Sequence, residues 1–195
     1  SNWNIGVSTF SEDENGIIYV GSENLGLNKY DPKRNTYEKV DNFPVQRIKS
    51  MVTDKQNRLW IVTFFEGLWL KEDDKARRIG DIEGIFSTVI ATEKGVWIGT
   101  RNKGVYYYNE RKNYFENFNE NINKQGAISS NSIWDIFEDS KGNIWFATSK
   151  GMSVRYKNED HFTKYYEDTT TNSISSNMNY TITEDSEGKI WIGTA

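Results

Sequence analysis

The chain has 195 residues, a formal net charge of −4, no cysteine and one histidine. That composition excludes disulfides, a thiolate nucleophile, a thiolate zinc site and any centre needing several histidines. No apolar run approaches the roughly 18 to 20 residues that span a bilayer, and no concentrated Lys/Arg tract offers the grip on phosphate that nucleic-acid binding requires.

Taken in chain order, one pattern recurs. It reads GIIYVGSENLG from Gly16, NRLWIVTFFEG from Asn57, GVWIGTRNKG from Gly95, GNIWFATSKG from Gly142 and GKIWIGT from Gly188. The central aromatics are Tyr19, Trp60, Trp97, Trp145 and Trp191, spaced by 41, 37, 48 and 46 residues. A hydroxyl residue follows three positions later each time (Ser22, Thr63, Thr100, Thr148, Thr194), and then a glycine at Gly26, Gly67, Gly104 and Gly151. Five coincidences in register mark an internal repeat, which decides the fold before any single element does.

Each unit predicts four short antiparallel strands. The first precedes a tight reversal, as in SIWDIFED (132–139) and NYTITED (179–185). The second carries the aromatic. The third follows the glycine, as GLNKYD, GLWLKED, GVYYYNE and GMSVRYK. The fourth is shorter and more polar: YEKV (37–40), YFENF (114–118) and HFTKYY (161–166). EDENG, EDSKG and EDSEG set Asp and Gly at reversals, where Asp bonds its downstream backbone and Gly accepts positive φ. Repetition marks these carboxylates as turn scaffold rather than as a metal site. DPKRN (31–35) is a further turn, with Pro32 fixing φ.

Four antiparallel strands per unit of this length predict β-propeller blades. The pattern explains why IWFAT is apolar at both parities: an inner strand of stacked blades is covered on both sides, whereas a sandwich strand alternates. The predicted fold is all-β, an arc of four-stranded antiparallel blades and a fragment of a larger propeller. Four blades are complete (about 5–40, 46–80, 85–119 and 132–167) and a fifth begins at 179–195. The recurring aromatics are expected to wedge between blades, each burying on the order of 200 Å². An apolar blade face exposed at each end predicts self-association of the chain.

Function is expected in the variable stretches of the repeat. In a propeller, loops joining second to third strands share one face with the connections between blades. Here those loops are Glu23-Asn24, Phe64-Phe65-Glu66, Arg101-Asn102-Lys103 and Ser149-Lys150, and the connections cover 42–47, 80–84, 121–131 and 169–177. Phe64 and Phe65 stand where their counterparts are polar. They could stack on the C–H face of a sugar while Arg101, Asn102 and Lys103 bond its hydroxyls; the alternative is packing against a neighbouring loop or blade. Trp134 and Tyr180 occupy equivalent inner-strand positions, either lining the channel or packing between blades. No cofactor, metal or catalytic residue is expected. His161 opens an outermost strand far from the axis, and no carboxylate pair stands out for glycoside hydrolysis. A sensor, a protein-interaction scaffold and a propeller hydrolase or lyase are the function classes weighed.

The unit SIWDIFEDSKGNIWFATSKGMSVRYK and its successor SISSNMNYTITEDSEGKIWIGT resemble the two-component regulator propeller repeat. So do GVWIGTRNKGVYYYN and LWIVTFFEGLWL, and AISSNSI (127–133) and SISSNM (173–178) match the approach that precedes that repeat. The departures are Tyr19 for Trp, Asn57 for the turn Gly and a shortened turn in the third unit. The resemblance implies the periplasmic sensor region of a hybrid two-component histidine kinase of Bacteroidota. Oligosaccharides from dietary or host glycans are the ligands it implies. The kinase, and any contact with the membrane, would belong to parts of the parent absent from this chain.

Overall fold

The computed structural model describes residues 6–41, 43–121, 124, 126–169 and 173–195. The expected start of the first blade at Ile5, and the parts of the blade connections at 42, 122, 123, 125 and 170–172, lie outside the described residues.

The elements are strands in chain order: β1 (Val7–Glu12), β2 (Ile18–Ser22), β3 (Gly26–Asp31), β4 (Thr36–Lys39), β5 (Ile48–Thr53), β6 (Leu59–Thr63), β7 (Leu68–Glu72), β8 (Lys75–Ile79), β9 (Phe86–Ala91), β10 (Val96–Thr100), β11 (Val105–Asn109), β12 (Tyr114–Phe118), β13 (Ile133–Glu138), β14 (Ile144–Thr148), β15 (Gly151–Arg155), β16 (Thr163–Tyr165), β17 (Asn179–Glu184) and β18 (Ile190–Thr194). They form the sheets β1-β2-β3-β4, β5-β6-β7-β8, β12-β11-β10-β9, β13-β14-β15-β16 and β17-β18. The fold is that of β-propeller blades, each a meander in which neighbours in sequence are neighbours in the sheet. The chain divides into two compact units, 1–93 and 94–195.

The repeated motif builds the same corner each time. Asp54, Asp139 and Asp185 each accept through Oδ1 from backbone N–H groups two and four residues on, at 2.8–3.0 Å. The residue three positions after the acid takes positive φ: Asn57 at 61°, Gly142 at 81° and Gly188 at 77°, as does Gly16 at 81° after Asp13. Asn57 thus does the work of the missing glycine, because a short amide side chain tolerates the left-handed region better than most. At the other end of the aromatic strand the hydroxyl closes the next turn. Thr148 Oγ1 donates to the Gly151 carbonyl at 2.6 Å and Thr100 Oγ1 to that of Gly104 at 2.8 Å, while Ser22 and Thr63 accept from loop N–H groups.

In the first unit, β6 is buried at every position and β4 is exposed at every position, as inner and outermost strands of a blade should be. β5 lies against both β1 and β9. Leu27, Ile48, Met51, Leu59 and Ile61 form the core between the first two blades, flanked by Tyr19, Phe43 and Trp69. In the second unit β13 lies against β10 and β17, and Ala147, Met152, Val154 and Ile182 form the core, flanked by Trp134, Trp145 and Ile192. Trp97 stacks on Phe118 and meets Phe146 edge-on, with ring centroids 5.9 and 5.4 Å apart.

The wedging role expected of the aromatics holds unevenly. Trp60 and Trp97 are buried, whereas Tyr19 and Trp145 are half-buried and Trp191 is 60% exposed. Trp191 stands on the two-stranded sheet of β17 and β18, whereas Trp145 packs against the core that Ile182, Ile190 and Ile192 of that sheet help to form.

Candidate functional site

The loops after the second strands and the blade connections share one face in each unit, joined by backbone hydrogen bonds. Phe64 N–H donates to the Arg47 carbonyl at 3.0 Å, and Phe86 N–H to that of Phe64 at 3.2 Å. In the second unit Gly104 bonds Asn131 at 2.9 Å, Ser149 bonds Ser132 at 3.2 Å and Gly151 bonds Asn177 at 2.6 Å. These bonds satisfy loop amides that would otherwise need water, and they fix where loop side chains sit.

The innermost strands carry a recurring irregularity. Pairing between first and second strands breaks register at the second position: Val7 pairs Ser22 but Thr9 pairs Gly21, and Ile48 pairs Thr63 but Ser50 pairs Val62. The same break falls between Ile133 and Asp135 and between Asn179 and Thr181. The skipped residues are Ser8, Lys49, Trp134 and Tyr180. A bulge frees a side chain from the ladder and re-aims it, so these four strand pairs each offer one residue, of differing type, at the equivalent strand position.

Three of the expected site residues meet there. The Arg101 guanidinium carbon lies 3.2 Å from the centroid of the Trp134 ring, a close cation–π stack. Trp134 and Tyr180 pack edge to face, their centroids 4.9 Å apart at 89°. Tyr180 remains 39% exposed, and its hydroxyl donates to Met178 Sδ at 2.9 Å. Trp134 flanks the inter-blade core and also carries the Arg101 guanidinium on its ring.

The other two residues of the Arg101 loop are exposed. Lys103 is held through its backbone, its N–H donating to Thr100 Oγ1 at 2.8 Å and its carbonyl accepting from Asn117 Nδ2 at 3.0 Å. Asn102 stands exposed beside it. Lys150 pairs with Glu120 at 2.8 Å, so that acid is already neutralised. Phe64 and Phe65 belong to the first unit and form a tilted pair with centroids 6.0 Å apart. The Lys49 ammonium lies 5.0 Å from the Phe64 ring. Phe65 is 58% exposed. His161 is exposed on the outer edge, beside Glu159 and Asp160 at 3.3 and 3.5 Å.

Electrostatics set Arg101 and Asp135 apart. Burial pulls the Arg101 guanidinium down from its ordinary value, with no carboxylate to offset it. Burial pushes the Asp135 carboxyl up, against the bonds it accepts from Ile182 N–H at 2.9 Å, Thr181 Oγ1 at 3.1 Å and Ile136 N–H. Asp135 is a latch between blades, a role that sequence reasoning missed. Aligning the inner strands would have raised it: the same place holds Thr9, Ser50, Thr88 and Thr181, all hydroxyl residues, and Ser50 Oγ accepts from Val89 N–H at 3.2 Å in the same way.

Residues 127–150 and 173–195 match the family model described as two component regulator propeller. A protein named histidine kinase P4 of Formosa agariphila is 27% identical over 168 residues, covering 76% of this chain and 12% of that protein. Among solved structures, the extracellular domain of a hybrid two component system from Bacteroides thetaiotaomicron superposes over 100% of this chain with a TM-score of 0.79 at 20% identity. Virginiamycin B lyase from Staphylococcus aureus superposes over 98% with a TM-score of 0.70 at 11% identity, and this chain spans 64% of it. The chain spans 26% of the first of these structures, so it corresponds to a part of such proteins and not to their whole length. At these identities the two structures establish the propeller fold alone; the similarity to the two component regulator propeller model is carried by residues 127–150 and 173–195.

Proposed function

We propose that this chain is the sensor propeller of a two-component receptor, lying outside the cytoplasm and binding an oligosaccharide on its loop face. The observation that carries the reading is the Arg101–Trp134–Tyr180 cluster, an aromatic platform with a cation on it. Arg101 covers the Trp134 face, so the 39% exposed Tyr180 is the ring left to meet the C–H groups of a sugar, while polar side chains around it bond the hydroxyls. The residues differ from blade to blade at a place where the scaffold repeats, which is how a site is grafted onto a fold. The names of the relatives support a signalling setting: a histidine kinase and the extracellular domain of a hybrid two component system. Signal transfer then rests on the ligand preferring one state of the parent receptor, since equal affinity for both states shifts nothing. The role is binding rather than catalysis, with no cofactor.

Calorimetric titration of the 195-residue chain with a panel of plant, algal and host oligosaccharides tests the reading. The expected result is saturable binding of at least one of them, abolished by Trp134→Ala and by Tyr180→Ala. Absence of binding across the panel, or turnover of the bound glycan to product, overturns it.

A second reading, association of copies of this chain, is favoured by apolar blade faces. Val7, Phe10 and Tyr37 are 43%, 64% and 51% exposed around an open groove lined also by Ile18 and Val20. Trp191, on the last hairpin, is 60% exposed. Sedimentation equilibrium at increasing protein concentration distinguishes the readings: a single 22.7 kDa species throughout removes the second.

A further inference from the structure

We infer that the site takes an acidic ligand, an oligosaccharide bearing a carboxylate, and that Arg101 is the residue that receives the carboxylate. The inference rests on the oligosaccharide reading above and narrows it.

The argument starts from what the other arginines do. Arg58 shares Asp54 at 2.8 Å, Arg34 lies 3.6 Å from Asp31, and Arg78 lies 2.9 Å from Asp81. Arg155 donates to the Glu159 carbonyl and lies over Trp97 and Phe118. Arg47, Arg77 and Arg111 are exposed and solvated. Arg101 alone among the described arginines is half-buried, stacked on an aromatic ring and without an acceptor among the described residues. The chain carries 28 acidic residues, so the lack of a partner is not for want of carboxylates. Two acids of the same unit are committed elsewhere: Asp135 accepts from Thr181 and Ile182, and Glu120 pairs with Lys150.

Stacking fixes what remains available. With one face on Trp134, the guanidinium keeps its in-plane N–H donors, and their fork geometry matches a carboxylate. The platform holds the side chain in place before the ligand arrives, so less rotamer freedom is lost on binding. Partial burial removes water from the cation and strengthens its pull on an anion. Lys103 on the same loop is exposed and adds positive potential. A neutral sugar would use one or two of these donors and leave the charge uncompensated. A uronate compensates it while its ring lies against the aromatic edge offered by Tyr180.

The probes are oligouronates of galacturonate, glucuronate and mannuronate and their carboxyl-reduced counterparts, titrated into the 195-residue chain. We expect an oligouronate to bind, its reduced form to bind about tenfold more weakly or not at all, and rising salt to weaken the acidic form only. Arg101→Gln should bring the acidic form down to the level of the reduced one, and Arg101→Lys should recover only part. The Arg101 side-chain Nε–H resonance, identified by its loss in Arg101→Gln, should shift with the oligouronate. Melting temperature checks that each variant folds; should one fail, the wild-type contrast and the resonance decide. Equal affinity of reduced and acidic forms overturns the inference and leaves the oligosaccharide reading standing. No binding of either form, with binding of a neutral glycan from the wider panel, does the same. Failure of every glycan overturns both.

Discussion

The indole N–H of Trp145 donates to Asp139 Oδ2 at 2.8 Å, six residues back across the hairpin. Trp60 bonds Asp54, and Trp191 bonds Asp185, at the same distance. One carboxylate thus closes the turn with one oxygen and anchors the blade's central aromatic with the other. The turn acid and the core tryptophan are a single structural unit.

Asp54→Ala should destabilise the chain most among these acids, by about 2–3 kcal/mol, because it removes the carboxylate that accepts from the buried Trp60 N–H and from the Arg58 guanidinium. Urea unfolding followed by tryptophan fluorescence measures it. Asp185→Ala, next to the exposed Trp191, should cost clearly less.

Stability should fall in acid, with a known sign. Burial pushes Asp54 and Asp139 up, but the bonds they accept from backbone N–H groups, side-chain amide or guanidinium and indole outweigh it and hold both below the ordinary carboxylate value. Asp185 is held low chiefly by Trp191. A lowered folded-state pKa contributes stability above the unfolded value and loses it as pH drops through the folded one. Melting temperature should therefore decline below about pH 4. Asn at positions 54 and 139 should flatten the decline; an unchanged slope would count against this account.

Asp135 has the opposite sign. Burial raises its pKa, so the folded state holds the proton more tightly than the unfolded chain, and ionisation above the ordinary carboxylate value costs stability. Carbonyl-carbon NMR should place its titration above those of Asp54 and Asp139. Asp135→Ala should cost about 1–3 kcal/mol and speed hydrogen exchange at the Ile182 amide, whose acceptor it removes.

Gly104→Ala and Gly151→Ala should each cost about 2 kcal/mol or more. Their φ values are +72° and +89°, and a Cβ would lie 2.1 Å from the Phe118 carbonyl and 2.6 Å from that of Tyr165. Gly16→Asn makes the contrast. Its φ is +81°, the nearest atom to a Cβ is 3.7 Å away, and Asn57 already occupies the matching turn. That variant should melt within a few degrees of wild type by differential scanning calorimetry.

Much of the architecture was legible in the residues, because a repeat states the same local physics several times. Tyr19, Trp60, Trp97, Trp145 and Trp191 fall on second strands, and the hydroxyl and glycine that follow close the next turn. Arg101, Trp134 and Tyr180 stood out in the sequence because they fall on variable positions of the repeat. Their grouping did not. Arg101 and Trp134 are 33 positions apart, and only blade stacking, with the register breaks that swing Trp134 and Tyr180 out of the ladder, brings guanidinium and indole to 3.2 Å.

The sequence by itself determined the blade: strand periodicity, turn chemistry and capping hydroxyls act over a few residues and are written there. Only the tertiary structure decided which carboxylates are spent and which cation is left over. Asp135 looks like any strand acid until Ile182 of the next blade donates to it, and Arg101 looks like any loop arginine until Asp135 and Glu120 prove to be taken. Pairing of charges depends on distances across blades, and those are set by packing of apolar surface that carries no record of which polar groups it will bring together.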